Sequence, residues 1–141
     1  MSLKIFTILL LLPLIAAAAQ KTQLSQNEEF QIESKKVQFV DNPQKRLRIS
    51  ANCIEQGAIQ KVAKKCRALV VFEDPQVPND WADRAINGMN PGSVICKHNQ
   101  GQVVIGRDAK GNEMSFCYFS MDQSFIDQGS LTWASKNNLH K

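Results

Sequence analysis

Apolar and polar positions divide the chain into stretches of different period. The first is a continuous apolar run, Ile5–Ile15, with a single charge ahead of it at Lys4 and four alanines, Ala16–Ala19, behind it. A charge, an apolar core and small residues in that order predict a secretory signal over residues 1–19, cleaved between Ala19 and Gln20. The uncharged run is shorter than the roughly 20 residues a spanning helix needs. Gln20–Ser34 then turns polar and acidic with little periodicity, and is expected to be a flexible leader.

Lys36–Val40 (KVQFV) and Arg46–Ser50 (RLRIS) read as short strands, the second alternating charged and apolar residues. They flank the turn signal Asp41-Asn42-Pro43 and predict a hairpin. Ile59, Val62, Ala63 and Cys66 recur at helical spacing, with Lys61, Lys64 and Lys65 off the stripe, so a helix is expected there. Ala68–Phe72 (ALVVF) is continuously apolar and reads as a buried strand that stops at Glu73-Asp74-Pro75. Pro75–Pro78 is the expected boundary between a basic unit, residues 35–78, and a second unit, residues 79–135, with residues 136–141 as a tail.

In the second unit Asp80 is placed as a helix cap. Trp81, Ala82, Ala85, Ile86 and Met89 form one apolar side of a helix ending near Gly88. Asn90-Pro91 opens another helix, to Asn99, and Gly101 stands where a left-handed cap belongs. Gln102–Arg107 and Glu113–Phe119 are expected strands around the turn Asp108–Asn112, with Gly111 supplying a positive φ. Ser120–Ser124 is a further turn and Ser130–Ser135 a short helix. The expected fold class is α+β: a small exported protein stapled by disulfides. Its first half would hold a hairpin, a helix and a strand, and its second a helix followed by an antiparallel hairpin.

All four cysteines, Cys53, Cys66, Cys96 and Cys117, follow the signal. An even number in an exported chain predicts two disulfides, in one of three connectivities. Loop length favours near neighbours, each bond adding roughly 3 kcal/mol. The helix expected between Cys53 and Cys66 resists their pairing. At about 1.5 Å per residue it carries them well beyond the ~7 Å Cα separation a disulfide tolerates, unless the chain folds back near Gly57. Cys96-x-His98 lacks the paired spacing of a zinc site, and no cofactor or metal is expected.

Several motifs then fall in a recognisable order: Asn90-Pro91-Gly92-Ser93-Val94-Ile95-Cys96, Asn99-Gln100-Gly101, the hairpin, Cys117-Tyr118-Phe119 and Asp122-Gln123-Ser124. Together they make Asn90–Ser135 resemble the bacterial family called domain of unknown function 333, often given a hemolysin label. The resemblance implies export and a cystine between Cys96 and Cys117, and with it the remaining pair Cys53–Cys66. The chain departs from the family pattern at Gln100 and Gln123, where the family has glycine, and it lacks the acidic tail of many members. Residues 20–78 resemble no family we can name.

The formal charge of +4 is unevenly spread. Lys35–Arg67 holds nine basic residues against two acids, for a net +7. Lys45, Arg46, Arg48, Lys61, Lys64, Lys65 and Arg67 are therefore a candidate face for an anionic partner, either an envelope surface or an acidic protein. Nucleic acid is not expected, because Phe39 is the only aromatic near these charges and stacking platforms need more. No G-x-S-x-G, H-E-x-x-H or phosphate-cradling loop is present, and capping accounts for the Asp80/Asp83 pair. The expected function is a non-enzymatic, monomeric binding module, periplasmic or secreted. Its alternatives are a small protease-inhibitor-like protein presenting a disulfide-held loop such as Asp108–Asn112, and a structural envelope protein.

Overall fold

A computed structural model describes residues 25–56 and 61–138. The expected signal, the bend at Gly57 and the end of the tail lie outside them. Eight strands and four helices follow one another: β1 (Ser25–Ile32), β2 (Lys35–Asn42), β3 (Leu47–Ser50), β4 (Ile54–Gln56), β5 (Lys61–Ala63), α1 (Arg67–Glu73), α2 (Trp81–Ile86), α3 (Pro91–His98), β6 (Gln102–Arg107), β7 (Glu113–Phe119), β8 (Ser124–Asp127) and α4 (Gln128–Asn138). Six strands close an antiparallel barrel in the order β1-β2-β3-β8-β7-β6, and β4 pairs with β5 in a separate hairpin.

Strand alternation sorts side chains into two cores. Inward positions place Phe30 and Ile32 of β1, Phe39 of β2, Phe116 of β7 and Phe125 of β8 inside the barrel. Phe39 stacks on Phe116 with centroids 4.4 Å apart, and Phe30 meets both rings edge-on. Outward positions on β3, β7 and β8 (Leu47, Ile49, Cys117, Phe119, Ile126) form a second core beneath α1, α3 and α4. The Cys96–Cys117 bond joins α3 to β7 within that layer, and Cys53–Cys66 closes the base of the β4–β5 hairpin. At the β1–β6 seam Gly106 leaves room for the Phe116 ring, which would lie 2.8 Å from any Cβ there.

This architecture overturns the expected α+β class: the protein is a closed barrel with a few short helices, not a helix followed by a hairpin. Strands from both sides of Pro75–Pro78 build the one barrel. The segment expected as a flexible leader carries β1. The expected helix before Cys66 is a hairpin instead, with Ile54 opposite Ala63. That hairpin brings the Cα atoms of Cys53 and Cys66 to 5.5 Å and removes the obstacle to their bond. Ala68–Phe72 is helix rather than strand. Ala68, Val71 and Phe72, three and four residues apart, are its buried positions, and the Cys66 sulfur accepts from the Leu69 N–H at its start. Gly101 is not the left-handed residue after α3; Gln100 is, at φ 66°. Gly101 is fixed by space, since a Cβ would collide with the sulfurs of Cys117 and Cys96.

Candidate functional site

The barrel has two different ends. At one, the register turns Asp41 and Arg48 inward as a facing pair, together with Glu28 and Asp127. Arg48 Nε and Nη2 donate to the two Asp41 oxygens at 2.7 and 2.9 Å, and Nη2 also reaches Glu28 at 2.9 Å. The guanidinium lies 5.8 Å from the centre of the Phe30 ring. Its pKa is held above the ordinary arginine value, chiefly by the hydrogen bond with Asp41 and against burial, with Glu28 and Asp127 adding to the effect. Arg48 is thus an internal plug. Its own N–H donates to the Ser130 hydroxyl at 2.9 Å, and Asp127 accepts from both the N–H and the hydroxyl of Ser130, fixing the start of α4. The shallow groove over this end, about 390 Å³, is lined by both signs of charge and by Pro43, Leu47 and Trp133.

The opposite end is notched. β3 ends at Ser50, and Ala51–Cys53 form a 3-10 turn that does not continue the ladder with β2. The gap, about 340 Å³, is lined by Lys35, Lys36, Val37, Asn52, Tyr118 and Phe125 among others, and no carboxylate among the described residues lines it. Tyr118 and Phe125, cross-strand neighbours, stack with centroids 4.7 Å apart and line its inner side. Lys36 pairs with Glu29 at 3.0 Å, whereas Lys35 takes no ion pair among the described residues.

The rim of the notch is held by polar contacts from one strand end to the next. Ser50 Oγ accepts from the Phe125 N–H at 2.8 Å and donates to Asn52 Oδ1 at 2.6 Å. Asn52 Nδ2 donates to the carbonyls of Asp122 and Gln123, each at 3.2 Å. Asp122 accepts from the backbone N–H groups of Arg67 and Ser124. Burial alone would raise the Asp122 carboxyl, but hydrogen bonds from Ser124 and Arg67 together hold it below its ordinary value.

The basic residues singled out in the sequence do not form one face. Lys45 and Arg46 lie in the turn between β2 and β3, at the plugged end. Arg48 is neutralised inside the barrel. Lys61 is on β5. Lys64 and Lys65 are exposed just after it, and the Lys64 N–H donates to the Cys53 carbonyl, next to the rim residue Asn52. Arg67 opens α1 and reaches the Asn99 carbonyl at 3.4 Å. Of the notch residues, Lys35 begins the basic segment Lys35–Arg67, whereas Tyr118 and Phe125 were not among the candidate site residues. The sequence signal of the aromatic pair is the chain's single tyrosine in an apolar strand beside a cysteine.

The Asp108–Asn112 turn is held by the Asp108 carboxylate, which accepts from the N–H groups of Lys110 and Asn112, both at 2.8 Å. No cystine is near it, because Cys117 pairs with Val103 several residues along the hairpin.

Fold and site together define a small disulfide-stapled barrel, plugged by an ion cluster at one end and notched at the other. No family model, curated protein or solved structure matches the chain. Its likeness to the domain family over Asn90–Ser135 therefore rests on the residue pattern alone. The two disulfides are consistent with an extracellular or periplasmic location. Among the described residues no helix is long and apolar enough to cross a membrane.

Proposed function

We propose that the protein is an exported, non-enzymatic binding module whose notched end takes an acidic protein partner. The observation that carries this reading is the notch itself: a concave site with two lysines and two stacked aromatic rings along its lining and no carboxylate among the described residues. Lys64 and Lys65 are exposed, and the Lys64 N–H bonds the Cys53 carbonyl, one residue from the rim residue Asn52. Separation of Lys45 and Arg46 from these residues, at the other end of the barrel, counts against a broad cationic face for a lipid surface. Export fits both the disulfides and the apolar run at the start of the chain.

The test is the binding of fluorescent poly-glutamate to the oxidised protein at low and high salt, beside sedimentation with phosphatidylglycerol and phosphatidylcholine vesicles. Poly-glutamate should bind, lose affinity as salt rises, and bind more weakly to Lys35→Glu and Lys64→Glu. Binding to anionic vesicles without binding to poly-glutamate would move the reading to an envelope surface. No binding to either would overturn it.

The ordered Asp108–Asn112 turn supports a second reading, a protease-inhibitor-like loop. Saturable inhibition of an envelope protease, abolished by Asp108→Ala, would establish it.

A further inference from the structure

We infer that the notch recognises its partner by strand addition: a short, extended, acidic segment pairs with the free edge of β2. The inference rests on the reading that this end of the barrel is the binding site.

The hairpin register carries it. β1 and β2 are joined by two residues, Glu33 and Ser34, so the flanking pair Ile32/Lys35 is the one that exchanges both backbone hydrogen bonds. Alternation makes Phe30/Val37 and Glu28/Phe39 the next such pairs. The N–H and C=O of Lys36, and the N–H of Gln38, therefore point away from β1. On that side β3 pairs with β2 only from Phe39 to Asn42 and leaves at Ala51. The backbone of Lys36 consequently faces the notch and not a strand.

Side-chain alternation specifies the segment. A residue opposite Lys36 would point outward beside its ammonium, so an acid suits it. That acid competes with Glu29, whose pair with Lys36 is exposed and of the kind that contributes little. A residue opposite Val37 would point inward over the Tyr118–Phe125 stack, so an apolar side chain suits it. Lys35 lines the notch beside the path of the chain. The recognised pattern is acidic–apolar–acidic in extended form. The competing account of Lys35 and Lys36 is that they only guard an open edge against aggregation, as edge lysines commonly do.

The experiment is fluorescence anisotropy of the oxidised protein with a labelled peptide, acetyl-Glu-Val-Glu-Val-Glu-amide. Two N-methylated versions, one for each alternating set of amides, accompany it. The parent should bind, and one N-methylated register should bind at least about tenfold more weakly, because it loses edge hydrogen bonds. Gln38→Pro removes one edge-facing N–H without touching the β1 ladder, a substitution edge strands tolerate. It should weaken the parent peptide while circular dichroism stays that of the barrel. If Gln38→Pro does not fold, the N-methylated peptides still decide. Equal binding of both N-methylated forms would overturn strand addition and leave the acidic-partner reading standing. So would binding of poly-glutamate without binding of the peptide. Binding of neither would overturn both and leave the lysines as edge guards.

Discussion

The Arg48 guanidinium grips the Asp41 carboxylate at two points, 2.7 and 2.9 Å, inside the barrel end opposite the notch. Glu28 and Asp127 face the same group, so one cation balances several acids in a partly buried place. Arg48→Met should leave those acids repelling one another and cost about 2 kcal/mol, less than for a fully buried pair. Arg48→Lys should recover only part, because an ammonium cannot make the two-point contact. Urea denaturation of the oxidised variants measures both.

Gln100 and Gln123 hold φ values of 66° and 55°. Left-handed backbone disfavours a residue with a Cβ, while glycine loses more freedom on folding; the balance should make Gln100→Gly and Gln123→Gly each stabilising by about 0.5 kcal/mol. A shift of the melting temperature upward in each single variant, additive in the double, is the expected result.

Gly92 packs α3 directly against the start of α4, where a Cβ would overlap the Gln128 carbonyl. That carbonyl belongs to backbone and cannot swing aside. Gly92→Ala should therefore force α3 and α4 apart and cost about 2–3 kcal/mol. Gly111, at φ 86° with open space around it, offers a contrast: Gly111→Ala should lose only the cost of its turn conformation, about 1 kcal/mol. Parallel chemical melts compare the two.

Asp122 and Asp108 both titrate below the ordinary value of 3.8. For Asp108 the cause is the hydrogen bond from Asn112; for Asp122 it is hydrogen bonds outweighing burial. A carboxyl whose folded value is depressed contributes stability that is complete above its unfolded value and is lost as pH falls through the folded one. Stability should therefore be flat down to about pH 5 and decline below pH 4. Asp122→Asn should flatten that decline, because Asp122 ties Arg67 to the rim.

Much of the second half was legible in the sequence. β6 and β7 fall on the expected residues, and Asn90-Pro91 opens α3 as expected, with Asn90 Oδ1 accepting from the Ser93 N–H. β1 was not legible, because its alternation is disguised: Phe30 and Ile32 point inward, but so does the charged Glu28, which answers Arg48 across the barrel. Ala68–Phe72 was ambiguous in principle, since a short continuous apolar run fits a buried strand or a buried helix equally well. Tertiary packing under α4 decided for the helix. The notch could not be read locally at all. Lys35, Asn52 and Tyr118 meet only through barrel closure, and β3 joins β8 through the single pair Ile49–Ile126.

The most direct test of the binding site is a backbone amide NMR map of the oxidised protein titrated with poly-glutamate. The expected result is a set of shifts concentrated at Lys36, Gln38, Asn52, Tyr118 and Gln123, with Lys45 and Arg46 unchanged. Shifts centred on Lys45 and Arg46, or none at any concentration, would contradict the assignment of the notched end as the working surface.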